Sequence, residues 1–175
     1  MSTIIDGTAG MTAPIGAVYN GLATANVQAS TSGTSIDFTG IPLWVKRVTV
    51  MLAGVSTNGT SVYLIQVGSG SLLTSGYNSS TMLAGATNAV SGGGPYTTGF
   101  ALFNNSAASI YDVIATLVNI SGNTWVMGAT ISPVGTSYAG ASGGKVTLSG
   151  SLDRVRITTV SGDTFDAGSI NIMWE

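Results

Sequence analysis

Arg47-Val-Thr-Val-Met-Leu52 places Val48, Val50 and Leu52 on one side of an extended chain and Arg47, Thr49 and Met51 on the other. Successive side chains of a strand point to opposite faces, so a period of two predicts a half-buried β-strand. The same alternation returns at Val146/Leu148, at Val155/Ile157 and at Ile170/Ile172/Trp174. Within residues 61–67, Tyr63, Ile65 and Val67 alternate with Val62, Leu64 and Gln66, which predicts a strand covered on both faces. Residues 110–120 and 124–131 supply two further strands. No segment sustains a 3.6-residue period; residues 41–45 leave room for one helical turn.

Turn chemistry separates these runs. Asn58-Gly59 predicts a tight hairpin, because that pair tolerates positive φ. Ser121-Gly122-Asn123 and Ser161-Gly162-Asp163 read as three-residue connections, and Gly143-Gly144 and residues 68–71 as turns. Residues 75–98 and 132–143, rich in Gly, Ser, Thr and Asn, predict long irregular surface loops. The expected fold is all-β: an antiparallel, jelly-roll-like β-sandwich of eight to ten strands over residues 31–175. Ahead of it, residues 1–30 form an extended segment interrupted by Gly7, Gly10, Pro14, Gly16 and Gly21. That segment reads either as a flexible leader or as a piece ordered against neighbouring copies.

Composition narrows the chemistry. Five Lys/Arg and seven Asp/Glu make 7 % of 175 residues, against roughly 25 % in ordinary soluble domains. A neutral, hydrogen-bonding surface suits packing against copies of itself or an uncharged polyhydroxyl partner, and offers nucleic acid no basic footprint. The chain has no Cys and no His. That removes disulfides, thiolate chemistry, the Ser-His-Asp triad and the commonest metal ligand. No catalytic residue, metal or cofactor is therefore expected. Residues 48–55, the longest apolar stretch, fall far short of the roughly 18 residues of a spanning helix, and residues 1–6 lack the basic flank of a secretory signal. Membrane insertion is not expected, and a barrel lacks its repeated segments with aromatic girdles.

Tyr77 and Tyr96 lie in the stretches expected as loops, beside Asn78, Asn88 and Thr97, and Tyr138 lies in the other such stretch. A neutral saccharide presents apolar C–H patches and many hydroxyls, which aromatic faces and amide groups answer. These six residues are the candidate receptor contacts; the plain alternative is a Tyr that pins its own loop. Trp44, Trp125 and Trp174 sit on or beside strands and read as packing. Asp163 and Asp166 could form a glycosidase pair if their carboxyls stood about 5–9.5 Å apart, or help hold Ca²⁺; the plainer expectation is that both cap backbone at a turn. Arg154 and Arg156 could grip an acidic sugar, or pair with Asp163, Asp166 or Asp37. Gly92-Gly-Gly94 is followed by no Lys and opens no helix, so it reads as a flexible loop rather than a phosphate cradle.

The run Ile36-Asp-Phe-Thr-Gly-Ile-Pro-Leu-Trp-Val-Lys-Arg-Val-Thr-Val-Met-Leu-Ala-Gly-Val-Ser56 resembles a segment of tail fibre proteins of tailed bacteriophages. The run Val146-Thr-Leu-Ser-Gly-Ser-Leu-Asp-Arg-Val-Arg-Ile-Thr-Thr-Val160, with Asp163-Thr-Phe-Asp-Ala-Gly-Ser-Ile-Asn-Ile172, resembles the closing part of the same C-terminal domain. The resemblance implies a homotrimeric fibre tip in the virion, made in the host cytoplasm, that recognises a bacterial surface glycan or envelope component without catalysis. It implies that residues 1–30 are the stub of the shaft. Two alternatives remain: a domain that only trimerises and seals the fibre, and a polysaccharide depolymerase.

Overall fold

The computed structural model describes residues 21–85 and 90–175, preceded by two short strands. In chain order the strands are β1 (Ile4–Asp6), β2 (Gly10–Thr12), β3 (Ala23–Thr24), β4 (Gln28–Ala29), β5 (Ser35–Thr39), β6 (Arg47–Thr57), β7 (Tyr63–Ser69) and β8 (Ser71–Leu72). They continue as β9 (Asn78–Gly85), β10 (Val90–Tyr96), β11 (Phe100–Leu102), β12 (Tyr111–Ser121), β13 (Thr124–Pro133), β14 (Tyr138–Thr147), β15 (Arg154–Thr159) and β16 (Phe165–Trp174). Apart from the β1–β2 pair they form two antiparallel sheets, and no helix occurs among the described residues. The larger sheet runs β10-β9-β14-β13-β12-β6-β16-β3, with β4 also on β16; the smaller runs β11-β7-β15-β5, with β8 on β7.

The period of two is realised in full. Along β13, Trp125, Met127, Ala129 and Ile131 are buried, while Val126, Gly128, Thr130 and Ser132 are exposed. Val48, Val50 and Leu52 of β6 and Ile170 and Ile172 of β16 join them on the inner face of the larger sheet. Phe38, Ile65, Val67, Phe100, Val155 and Ile157 answer from the smaller one. The molecule is a β-sandwich whose two inner faces make one core. All of β7 from Tyr63 to Gly68 is buried, as its two apolar registers predict.

Two expected loops are strands instead. Residues 75–98 contain β9 and β10, residues 132–143 hold the end of β13 and the first part of β14, and the expected turn at Gly143-Gly144 lies in the middle of β14. A ladder is built from backbone amides, so Gly and Ser can enter it wherever neighbours supply the rest. Inward-facing Ser79 donates to the Gly143 carbonyl at 3.0 Å and accepts from the Ala101 amide at 3.0 Å. Ser142 donates to Thr81 at 2.6 Å. Such satisfied hydroxyls cost little when buried, yet they hide the alternation from any reading based on hydropathy. Gly92-Gly-Gly94, read as a flexible loop, lies within β10.

Asn58-Gly59 does not close a hairpin either, because β6 and β7 belong to different sheets. The 58–61 and 161–164 connections cross between sheets side by side and tie each other. The Asn58 amide donates to the Thr164 carbonyl and the Thr164 amide to Asn58 Oδ1, both at 2.9 Å. The Ser61 amide donates to Asp163 Oδ2 at 2.9 Å. Ser121-Gly122-Asn123 does turn β12 into β13, with Gly122 at φ +51°. Of the segment 1–30, residues 21–30 add to the free edge of β16: the Ser30 amide and hydroxyl donate to the Gly168 and Ala167 carbonyls.

Strand β6 bulges against both neighbours near Ala53-Gly54. Gly54 (φ +63°) and Gly168 (φ +90°) face each other there, and a Cβ on Gly168 would stand 2.4 Å from the Gly54 carbonyl oxygen. Gly168→Ala is therefore expected to cost at least about 2 kcal/mol, by backbone strain plus the clash; urea unfolding of the variant checks it. Buried Tyr77 receives the Val67 amide on its hydroxyl at 2.8 Å and donates to the Leu73 carbonyl at 3.0 Å. Burial pushes its pKa up to about 12 from the usual 10.0. The raised folded value means that this stability is full below pH 10 and drains away as the pH rises toward 12. Unfolding curves at successive alkaline pH values should show that loss, and Tyr77→Phe should cost about 1–3 kcal/mol at neutral pH by stranding the Val67 amide.

Candidate functional site

Strand β11 is three residues long, whereas β9, β13 and β14 on the opposing sheet run eight to ten. Where β11 stops, inner-face positions of the longer strands emerge from the core. The chain roofs them with the connection 103–110. The result is a cleft of about 290 Å³ lined by Leu83, Ser91, Asn105, Ser109, Tyr111, Pro133, Thr136 and Tyr138. Behind the lining, Tyr111 meets buried Tyr63 edge-on at 5.8 Å, and Tyr63 stacks on Phe165 at 6.2 Å.

Short-range hydrogen bonds hold the rim. Thr136 donates its hydroxyl to the Pro133 carbonyl at 3.1 Å and accepts the Tyr138 amide at 3.3 Å. On the roof, the Ser106 amide donates to Asn104 Oδ1 and the Ala108 amide to the Ser106 hydroxyl. Asn104 reaches back to the Ser61 carbonyl at 3.1 Å. The amide of Val134 bonds the Ile110 carbonyl, joining roof to wall. A rim tied in this way loses little freedom when a ligand arrives.

Electrostatically the cleft is neutral. No charged side chain lines it, and burial raises the Tyr111 hydroxyl above its usual 10.0, so it stays a phenol at physiological pH. Tyr138, 42 % exposed, offers a ring face at the mouth. It stands opposite Gly85 in the ladder, where a Cβ would lie 2.3 Å from its Cε1. The glycine is what lets the ring lie down across the strand pair.

The six receptor candidates do not gather in one place. Tyr138 is in the cleft. Asn78, Tyr96 and Thr97 cluster at the other end of the same strands, roughly 23 Å away at 3.3 Å per residue. Tyr77 lies inside, edge-on to Phe100 at 5.1 Å, and presents no face to solvent; its hydroxyl pins residues 67–77, the plain alternative. Asn88 lies outside the described residues. Ser91, Asn105, Ser109 and Thr136 were missed. Nothing in their spacing marks them, since they converge only through the sheet ladder and the roof.

The remaining charged candidates are occupied. Arg156 forks onto Asp37 with two contacts of 2.6 Å, and Arg154 onto Asp153 at 2.7 and 3.1 Å. The Arg154 hydrogen bonds hold the Asp153 carboxyl below its ordinary range. Neither fork is free to grip an acidic sugar. Asp163 caps the neighbouring 58–61 connection rather than its own turn, and Asp166 accepts the Ser56 hydroxyl. Among the described residues no three Asp, Glu, His or Cys side chains come together. Trp125 is core, and Trp44 and Trp174 pack against it.

Comparison with protein-family models, with curated proteins and with solved structures finds no match. The cleft's geometry makes its own prediction. Gly85→Ala should swing the Tyr138 ring away from the ladder, shifting its ring NMR signals. Because that ring is solvent-facing, the unfolding free energy should change by no more than about 1 kcal/mol.

Proposed function

We propose that this chain is the tip domain of a tailed-bacteriophage tail fibre, a noncatalytic, homotrimeric adhesion domain that binds neutral glycan on the host surface. The observation that carries the glycan reading is the cleft: an exposed Tyr138 face beside Asn, Ser and Thr groups, with no charged side chain in the lining. A sugar ring stacks its C–H face on an aromatic and spends its hydroxyls on such neutral donors and acceptors. A tethered rim suits a preformed site of this size. The fibre assignment rests on the sequence resemblance at residues 36–56 and 146–172.

Adhesion without cleavage is supported by the same lining. Glycoside hydrolysis ordinarily needs two carboxyls flanking the scissile bond, and the cleft is lined by none. One such site binds weakly; three per tip and several tips per virion raise the effective affinity by proximity. A virion protein released by lysis acts outside the cell where it was made.

The test is an array of bacterial capsular polysaccharides and O-chains, neutral and acidic, probed with the purified chain. Binding is expected on neutral members, with no new reducing ends. Tyr138→Ala and Asn105→Ala should each weaken it about tenfold or more, equivalent to roughly 1.4 kcal/mol, without loss of fold. Undiminished binding by both variants would move recognition elsewhere, and binding to no glycan would leave the domain as a fibre-sealing scaffold.

A further inference from the structure

The outward face of the larger sheet carries a run of exposed apolar side chains among its Thr, Ser and Gly positions. On β12, Ile114 and Ile120 are 57 % and 62 % exposed, with Val118 between them. Val126 on β13, Met82 on β9, and half-buried Met51 and Met173 on β6 and β16 extend the patch. The ladder aligns them: Met51 stands opposite Ile114 and Ile114 opposite Thr130, while Val118 stands opposite Val126. Gly128 and Gly143 pair across the middle and keep it flat. No charged residue occurs between the two strand ends. Six strands, β9 to β16, at about 4.8 Å spacing and about eight residues long give roughly 700 Å². That footprint, polar and apolar positions together, is near the roughly 800 Å² per partner of a stable interface.

The two ends of this face differ in shape and in charge. At one end the bulge at Ala53-Gly54 opens a largely apolar groove lined by Met51, Ala53, Asp112, Ile114, Thr130 and Ser132. Asp166 stands beyond it at the same end of β16. At the other end Val118, Ile120 and Val126 project, flanked by Lys46, Arg47 and Lys145. Among the described residues, Glu175 pairs with Arg47. Knob and cation therefore sit at one end, groove and carboxylate at the other.

We propose that this face binds a second copy of the chain, with the Val118–Val126 end of one seated in the Met51–Ile114 groove of the next. A single flat face that complements itself end for end pairs across a twofold axis, an isologous contact in which knob meets groove twice. This pairing is a different contact from the threefold proposed above. Apolar knobs supply the affinity, and Lys145 facing Asp112 sets the direction of docking. The inference needs no glycan: it would stand if the cleft bound nothing.

Light scattering on the full chain over a hundredfold concentration range tests it. Wild type should hold paired copies; Ile114→Lys and Val126→Glu should each halve its mass with unchanged circular dichroism. Val160→Lys, at an exposed apolar position off the face, should not. Because the chain has no cysteine, the double variant Met51→Cys/Val118→Cys adds a readout independent of those substitutions. Those positions are about 13 Å apart along the strands of one chain, too far for an internal disulfide, so oxidation should link copies covalently. A wild-type monomer at every concentration overturns the proposal, as does an oligomer untouched by both face variants and not linked by the cysteine pair. A dimer dissociated by the face variants supports this interface while sinking the threefold. Monomeric variants that still bind glycan, only more weakly on a dense array, separate this result from the fate of the cleft.

Discussion

A three-residue strand laid across ten-residue strands is the constraint on which the functional end of this molecule depends. Sheet packing demands that each inner face be covered, and β11 ends before β9, β13 and β14 do. What would have been core becomes a cleft. Its Tyr111 wall is backed by Tyr63 and Phe165, which are packed between the sheets. Its rim is rigid because Thr136 and Asn104 tie the connections to the frame. A cleft placed at a strand-length mismatch inherits the stiffness of the sandwich without adding an element of its own.

The distribution of charge follows a second economy. Four charged residues, Asp37, Asp153, Arg154 and Arg156, are spent as forked pairs on the smaller sheet. The charges on the larger sheet gather at the ends of its strands. This leaves the cleft neutral and the outward face uncharged, two surfaces that make different uses of the same scarcity. A neutral cleft favours partners rich in hydroxyls. An uncharged face costs little to desolvate.

How much could be read beforehand varied with the kind of signal. Period-two alternation in β6, β13, β15 and β16 was plain, because hydropathy and inward orientation coincide there. It failed in β9, β10 and β14. Inward Ser79, Thr81 and Ser142 carry no hydropathy signal and hydrogen-bond to partners far away in sequence, although Leu83 and Val146 of the same strands do join the core. The turn signal at Asn58-Gly59 was real, yet a crossing between sheets uses the same residues as a hairpin. Of the nominated contacts, Tyr138 reached the cleft and Tyr77 the core. Nothing local distinguishes a tyrosine that will lie over Gly85 from one that will bond the Val67 amide.

By itself the sequence determined the class of the fold and the neutrality of the surface: alternation sets which side of a strand is buried, and composition limits which chemistries are available. Those are properties of residues and near neighbours. Only the tertiary structure decided where the sheets part, which hydroxyls face a cleft and which face each other, and that the apolar side chains of β12 share an open face. Each of these depends on the order of strands in a sheet and on their relative lengths, which are settled by contacts between residues a hundred positions apart.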